Sequence, residues 1–415
     1  MAMAAARGAT AAARLGPRPL PLHLLTAALT LNGSPSALPL LRSGSLPWKP
    51  ALASAAARLA SELASAPPEA FARALTREIV TRQDAFLDGI EAYRRHPYRR
   101  ALAEPPVLWS EGGTRLLDYG PPDGAALLVV PSLVNRAYIL DLSRDASLLR
   151  WLSRQGFRPL LVDWGRPGAD ERGFTLTDYI AGRLEAALAA ALEAAQPPAG
   201  KLPVLGYCMG GLLALALALG RAEAVSGLAV LATPWDFHAE GGAVQGQAAA
   251  RALIGLGPAI DALGELPVDV LQGFFAAIDP LVALKKFTAF ARLDPDSAEA
   301  RTFVALEDWL NDGIPLAAPV ARECLAGWYG ENRPARGLWR VAGRAVDPSA
   351  LACPALALVP ARDRIVPPAS AAALAERLPG AQVLQPPTGH IGMVVGSHAR
   401  AMAWEPLAAW LKRIV

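Results

Sequence analysis

The sequence predicts an α/β fold whose central sheet is mostly parallel and covered by helices on both faces. From about residue 125, continuous apolar runs alternate with helical segments, which is typical of buried parallel strands. One of these runs ends in GYCMGG (206–211), which has the pattern of a sharp strand-to-helix turn. The alternation stops between about residues 234 and 346 and then returns for two more strands. We therefore expect a helical insertion within the α/β core.

Length and charge limit the classes of function. The 415 residues are enough for one large α/β domain with additions, or for two domains. The net charge is +3 with basic and acidic residues nearly balanced, which argues against nucleic acid as a partner. The one dense basic cluster, YRRHPYRR at 93–100, is interpreted as a solvated turn. The uncharged run 204–220 is glycine-rich and just short of spanning length, so we expect no transmembrane span.

Residues 1–104 are predicted to form an N-terminal extension with a disordered start followed by helices. The first 50 or so are rich in Pro, Ser, Gly and Ala without a clear period, so we expect loose structure there. Pro19, Pro21 and His23 interrupt the one stretch that resembles a signal peptide, and this favours a cytoplasmic protein. Between 51 and 93, apolar residues recur at helical steps, with Pro67-Pro68 dividing two helices.

The core is predicted over 105–234 and 348–415, with the insertion, a cap, over 235–347. Residues 107–120 indicate a hairpin that turns at Gly112-Gly113. Thr175 and Asp178 suit a capping box at the start of a helix. The cap is expected to be helical, without strands. The other core elements are expected at 125–131 (strand), 147–156 (helix), 158–165 (strand), 175–195 (helix), 202–207 (strand), 226–234 (strand) and, after the cap, in CPALALVPARD and AQVLQPPTGH.

GYCMGG has the Gly-x-nucleophile-x-Gly pattern of a nucleophile elbow, with Cys208 as the nucleophile. Gly206 and Gly210 are needed because the strained turn brings strand and helix close together. The turn places Cys208 at a helix N-terminus, where backbone amides and the helix dipole stabilise a thiolate. The simpler interpretation is a small buried residue in a glycine-rich bend, but the strand before and the helix after favour the elbow.

An elbow predicts an acid and then a histidine later in the chain. Asp363 follows a buried strand in LALVPARD, and His390 lies in a loop after the final strand. A satisfied loop histidine is the alternative for His390, and an Asp in a polar turn is common. The three residues in this order are together strong evidence for covalent catalysis.

An oxyanion hole requires two amides beside the nucleophile. We expect one from Met209 and the other from Leu133 or Val134, in the loop after the first core strand. Cys324 and Cys353 are expected to be inert buried thiols, and the spacing of Cys and His suggests no metal site.

The chain from about residue 105 to 415 resembles the catalytic subunit of polyhydroxyalkanoate synthases. The cap segment FVALEDWLNDGIPLA is more similar to the short, two-subunit class (class III) than to the long single-subunit classes. The other segments that carry the resemblance are VPSLVNRAYILDL, DWGRPGADER, TLTDYI, GYCMGG, TPWDF, ARDRIVPP and TGHIGM.

The resemblance implies an α/β-hydrolase fold that polymerises (R)-3-hydroxyacyl-CoA into polyester and releases CoA. It implies that Cys208 carries the growing chain as a thioester and that His390 deprotonates the thiol. Asp363 is implied to help activate the incoming 3-hydroxyl, directly or by orienting His390. It also implies a homo-oligomer and a partner subunit, and a place in the cytoplasm or on the polyester granule surface. No cofactor is expected beyond the CoA thioester substrate.

The sequence departs from this family at Arg364, where a histidine often follows the catalytic Asp, and residues 1–104 lie outside the resemblance. Two other functions stay open at this point. One is a polyester depolymerase or acyl-CoA thioesterase that uses the same triad, because water and a hydroxyl group attack the same acyl-enzyme. The other is a non-catalytic granule scaffold, although such a protein is expected to have lost a triad member.

Overall fold

A computed structural model describes residues 14–415 of the chain. It divides into two compact units. One combines the described residues up to Tyr98 with Asp279–Asn311, and the other combines Arg99–Ile278 with Asp312–Val415. The predicted cap, 235–347, is thus shared between the units, since its segment 279–311 groups with the N-terminal extension.

The helices and strands follow the chain in the order expected for strands separated by helices. The α-helices are α1 (Leu20–Gly33), α2 (Leu38–Arg42), α3 (Ala53–Ser65), α4 (Pro68–Arg95), α5 (Leu148–Arg154), α6 (Glu185–Ala195), α7 (Met209–Gly220), α8 (Gly242–Leu263), α9 (Val268–Ala276), α10 (Val282–Phe290), α11 (Ala298–Asn311), α12 (Ala318–Arg322), α13 (Pro368–Ala375), α14 (Gly392–Val395) and α15 (Glu405–Leu411). The strands are β1 (Val107–Glu111), β2 (Thr114–Asp118), β3 (Ala125–Val130), β4 (Phe157–Asp163), β5 (Leu202–Tyr207), β6 (Val225–Leu231), β7 (Glu265–Leu266), β8 (Leu316–Ala317), β9 (Arg340–Val341), β10 (Arg344–Ala345), β11 (Ala355–Leu358) and β12 (Gln382–Leu384). Segments of π-helix cover Asp178–Leu184, Glu323–Gly330 and Arg400–Trp404.

The larger unit is built on an eight-stranded sheet in the order β1-β2-β4-β3-β5-β6-β11-β12. The pairs β1–β2 and β2–β4 are antiparallel, and the other neighbouring pairs are parallel. Every residue of β4, β5 and β11 is buried, which explains why these strands are continuous apolar runs in the sequence. The predicted α/β fold with a mostly parallel sheet is confirmed.

Several predicted local structures are present in this unit. The hairpin β1–β2 turns at Gly112-Gly113, and the carboxylate of the buried Glu171 accepts the Gly113 N–H at 2.9 Å. At the capping box, the Thr175 N–H donates to Asp178 Oδ2 at 2.8 Å, and the Asp178 N–H donates to Thr175 Oγ1 at 3.2 Å. The helix continues from this box as π-helix before α6, a change that the periodicity did not predict.

The expectation that the cap contains no strand is wrong. Two short antiparallel ladders lie within it, β7 with β8 and β9 with β10. Each strand is two residues long. A ladder of this length gives no alternating pattern in the sequence, so only tertiary contacts reveal it.

The expectation of loose structure in the first 50 residues is wrong for α1 and α2, which are helices. The predicted disordered start includes residues 1–13, which lie outside the described residues. Pro21 lies in the first turn of α1, where its missing N–H costs no hydrogen bond. Ala27 of α1 belongs to a buried cluster with Phe86 of α4 and Phe287 of α10. The division of α3 from α4 at Pro67-Pro68 is confirmed.

The stretch Leu20–Arg42, by length and composition alone, is the one candidate membrane span among the described residues. Its 23 residues contain a window with mean hydropathy 1.2, of which 11% is buried. Length and composition do not distinguish a span from an apolar helix on a protein surface. The absence of a transmembrane span therefore stays a prediction.

Candidate active site

The chain makes its sharpest turn at Cys208, between β5 and α7. Cys208 has φ 55° and ψ −129°, a conformation that is strained for a residue with a side chain. A Cβ atom at Gly206 would lie 2.4 Å from the Gly211 Cα, and one at Gly210 would lie 2.1 Å from the Val130 carbonyl oxygen. Only glycine fits at both positions, so the two elbow glycines allow strand, turn and helix to pack this closely.

Asp363 and His390, which the sequence singled out, lie together. The His390 Nδ1–H donates to Asp363 Oδ2 at 2.7 Å, and both residues are buried. Asp363 Oδ1 accepts the N–H groups of Ile365 and Val366 at 2.8 and 2.9 Å. Both carboxylate oxygens are thus occupied, which fixes the carboxylate and, through it, the orientation of the imidazole ring.

The third member, Cys208, lies close enough to His390 for a charge on its sulfur to act on the imidazole. Burial by itself lowers the pKa of His390. A negative charge on Cys208, the hydrogen bond to Asp363 and the charge of Asp363 outweigh that effect and raise the pKa to about 10. The raised pKa favours an imidazolium at neutral pH, the form of His390 that protonates a leaving group.

Tyr207, the residue before the nucleophile, helps to position His390, and sequence reasoning missed this contact. Its hydroxyl donates to the His390 carbonyl oxygen at 3.3 Å, and its ring lies 5.2 Å from the imidazole. Burial raises the pKa of Tyr207, and the charges of Cys208 and Asp363 add to the effect, so the hydroxyl keeps its proton and acts as a donor. The contact ties the histidine loop to the end of β5.

The loop after β3 lies beside the elbow, because Val130 pairs with Gly206 in the sheet. The Val134 N–H already donates to Ser132 Oγ at 3.0 Å. In the part of the chain that the structure describes, the N–H groups of Met209 and Leu133 have no hydrogen-bond acceptor. Of the two residues predicted for the second oxyanion donor, Leu133 is therefore the better placed to offer its amide.

A buried carboxylate holds the far end of this loop. Asp141 is fully buried and accepts hydrogen bonds from Arg100, Arg150 and the Tyr119 hydroxyl at 2.9, 2.8 and 3.3 Å. Arg100 belongs to the basic cluster predicted to be a solvated turn. That interpretation is wrong for this residue, because its guanidinium compensates a charge inside the core.

The cap also contacts this loop. Gln272 of α9 is buried, and its side-chain amide donates to Asn135 Oδ1 at 3.0 Å. Arg136 and Asp312 form an ion pair at 3.5 Å. Asn135 has φ 67°, a conformation that asparagine tolerates better than most residues. Sequence reasoning missed these contacts, although an asparagine beside the predicted oxyanion loop was a visible signal.

The other two cysteines lie outside this constellation. Cys324 is buried, but Cys353 is only half-buried, which differs from the buried thiol expected from the sequence. Burial raises the pKa of both residues, and both therefore favour the neutral thiol. Within residues 14–415, no group of three or more His, Cys, Asp or Glu side chains is arranged to hold a metal ion.

Comparisons with known proteins agree with this geometry. Residues 126–397 match the family model of the alpha/beta hydrolase fold. The chain is 32% identical to the poly(3-hydroxyalkanoate) polymerase subunit PhaC of Synechocystis sp., over 69% of this chain and 77% of that protein. It is 29% identical to the PhaC subunit of Haloferax mediterranei, over 80% of this chain and 68% of that protein. Identity to the PhaC subunit of Allochromatium vinosum is also 29%, over 74% and 87%.

Proposed function

The chain belongs to the α/β-hydrolase fold family and, within it, to the poly(3-hydroxyalkanoate) polymerase subunits, and on this premise we propose that it polymerises (R)-3-hydroxyacyl-CoA through a thioester on Cys208 and releases CoA. One observation carries the proposal. The His390 ring is hydrogen-bonded to Asp363 and lies within electrostatic reach of Cys208, which occupies the strained turn of a nucleophile elbow.

The first half-reaction loads the enzyme. The Cys208 thiolate attacks the thioester carbonyl, a bond from the carbonyl carbon to the Cys208 sulfur forms, and the bond to the CoA sulfur breaks. The His390 imidazolium gives its proton to the departing CoA thiolate. The amides of Met209 and Leu133 stabilise the oxyanion of the tetrahedral intermediate. Exchange of one thioester for another costs little free energy, which favours a thiol over a serine hydroxyl at this position.

The second half-reaction extends the chain. The 3-hydroxyl of an incoming hydroxyacyl-CoA attacks the thioester on Cys208 and gives its proton to His390, which is neutral after the first step. An ester bond forms, the bond to sulfur breaks, and Cys208 becomes a thiolate beside an imidazolium again. The longer chain, still a CoA thioester, is then transferred back to Cys208 with release of CoA.

Asp363 acts in this scheme by orienting His390. Its Oδ2 accepts the His390 Nδ1–H, and its Oδ1 is occupied by two backbone amides. The Asp363 side chain is also only 1% exposed, so an incoming hydroxyl does not reach it. The occupied carboxylate therefore supports the indirect role over direct activation of the 3-hydroxyl.

We further propose that the enzyme acts in the cytoplasm at the surface of its polyester, as a homo-oligomer that works with a second synthase subunit. It needs no cofactor beyond the CoA thioester.

The experiment that tests the function is incubation of the purified chain with (R)-3-hydroxybutyryl-CoA, followed by assays of free CoA and of insoluble polyester. CoA release together with polyester is the expected result. CoA with only free hydroxy acid would instead identify a thioesterase. No CoA release, even with candidate partner subunits added, would leave a scaffold. Cys208→Ala should abolish turnover, and Cys208→Ser tests whether sulfur itself is required.

A further inference from the structure

An apolar cavity lies where four segments singled out in the sequence meet. Its lining includes Leu133 of VPSLVNR, Trp164 of DWGRPG, Tyr179 of TLTDYI, and residues 314–317 of the cap. None of the residues that line it is charged. None of these segments contributes a member of the catalytic triad, and only Leu133 has a proposed catalytic role, through its amide. The cavity is the place in the fold where they meet.

The cavity lies close to the nucleophile along the sheet. Trp164 follows β4 directly, Leu133 follows β3 and Cys208 follows β5, and these strands are neighbours in the order β4-β3-β5. Strands are spaced about 5 Å apart, so the ends of β4 and β5 are separated by about 10 Å, with the Leu133 loop between them. Leu133 lines the cavity, and its amide is the proposed second donor to the carbonyl oxygen of an acyl group on Cys208, so the cavity lies next to the proposed position of that acyl group.

The walls of the cavity are held firmly. The Trp164 indole N–H donates to the Pro131 carbonyl oxygen at 3.0 Å, and its ring contacts Tyr179 edge to face with centroids 5.7 Å apart. On the cap side, Leu316 pairs with Leu266 in the short β7–β8 ladder. The indole N–H is used by the backbone, so the ring offers the cavity an apolar surface.

The cavity is small. Its volume is ≈ 10 Å³, close to the least that accommodates one water molecule. A methyl group is about as large as a water molecule, and an apolar lining favours the methyl group over the water because it offers water few hydrogen-bond partners.

We propose that this cavity takes the alkyl group on C3 of the hydroxyacyl unit bound at Cys208, and that its size limits this group to about one methyl. The proposal rests on the proposed function and assigns the choice of monomer to the cap segment 314–317 together with Trp164 and Tyr179. The lining is uncharged and mostly apolar, so it suits the alkyl group on C3 better than the hydroxyl.

The first arm of the test enlarges the cavity. Ile314 is buried and lines it, and Ile314→Ala removes three carbons from the wall. We expect kcat/KM for (R)-3-hydroxyhexanoyl-CoA, relative to (R)-3-hydroxybutyryl-CoA, to rise by about tenfold or more, since one methylene in a pocket changes discrimination by at least about that factor. Leu325→Ala is the matched control, because Leu325 is a buried cap residue outside the lining.

The second arm fills the cavity. Ala317→Val should lower kcat/KM for (R)-3-hydroxybutyryl-CoA by about tenfold while leaving that for 3-hydroxypropionyl-CoA, which has no alkyl group on C3, within about twofold. Ala321→Val, at a buried cap alanine outside the lining, is the control. Thermal unfolding of each variant establishes that it is folded.

Unchanged substrate ratios in both lining variants, or equal changes in the two controls, would overturn the assignment of the cavity while the proposed function stands. If the wild-type chain releases no CoA from any of the three substrates, the proposed function fails, and this inference fails with it.

Discussion

Replacing Asp363 by asparagine isolates the role of the carboxylate that orients His390. An asparagine of the same shape has one acceptor oxygen and one NH₂ group. The N–H groups of Ile365 and Val366 both point at Oδ1, so the amide oxygen of Asp363→Asn must lie there. The NH₂ group then faces His390 Nδ1, which must become an acceptor, and the ring proton moves to Nε2 on the side of Cys208. The imidazole can no longer take a proton from the thiol.

The expected loss follows from this tautomer. An asparagine that leaves the geometry intact but imposes the wrong tautomer lowers kcat by about 10³ to 10⁴, or about 4 to 5.5 kcal/mol of transition-state stabilisation. The activity that remains should rise with pH as hydroxide takes over deprotonation of the thiol. A purely structural role of Asp363 would not produce such a profile.

The assay is CoA release from (R)-3-hydroxybutyryl-CoA between about pH 6 and 10, with thermal unfolding measured in parallel. Asp347→Asn is the matched control, because Asp347 Oδ1 also accepts a backbone N–H, from Ser349 at 3.0 Å, but lies on an exposed turn. The control should keep wild-type activity within about twofold. A folded Asp363→Asn variant that keeps more than about a tenth of wild-type activity would refute the orienting role.

Three further outcomes follow from the same contacts. Gly210→Ala should lower the free energy of urea unfolding by about 3 kcal/mol or more, because the new Cβ meets a β3 carbonyl oxygen. Gly255→Ala, where nothing lies within 4 Å, should be neutral or stabilising by up to about 1 kcal/mol. Equal effects of the two substitutions would contradict the close packing at the elbow. Asp141→Asn leaves two arginines uncompensated and should lower the free energy of unfolding by about 3 to 5 kcal/mol. Asp145→Asn, at an exposed position, should change it by no more than about 0.5 kcal/mol. A similarly small loss for both variants would show that the buried ion pairs of Asp141 are dispensable. The pKa of His390 is raised from 6.5 to about 10 in the folded chain, so its contribution to stability is complete below about pH 6.5 and is lost as pH rises through about 10. The free energy of unfolding of His390→Gln should therefore fall less steeply over this range than that of the wild type, and parallel curves would argue against the raised pKa.

The parts of the molecule that sequence reasoning predicted are those with a local signature. Strands β3 to β6 are continuous apolar runs because both faces of the sheet are covered, and the elbow needs glycines at fixed positions for steric reasons. Asp363 and His390 could be predicted because each lies in the loop that follows a strand, β11 and β12 respectively, and because the order of an elbow triad along the chain is fixed.

The parts that it missed depend on contacts between distant segments. The hydroxyl of Tyr207 reaches a carbonyl oxygen 183 residues away, and the Gln272–Asn135 hydrogen bond joins residues 137 apart. Asn135 could be noticed from its place beside the predicted oxyanion loop, but nothing in the sequence identifies the partner of either hydrogen bond. Strands of two residues, as in β7–β8, and a helix such as α1, which begins with prolines and has no polar face to mark its period, leave no pattern that a sequence window detects.

The central claim is that Cys208 carries the acyl group as a thioester. The most direct measurement is the intact mass of the chain after a rapid acid quench of its reaction with (R)-3-hydroxybutyryl-CoA, with and without neutral hydroxylamine, and peptide mapping of the modified residue. We expect one or more hydroxybutyryl units on the peptide that contains Cys208, and we expect them to be removed by hydroxylamine and absent from Cys208→Ala. Rapid CoA release from a chain that stays unmodified at Cys208, or an adduct that persists in Cys208→Ala, would contradict it.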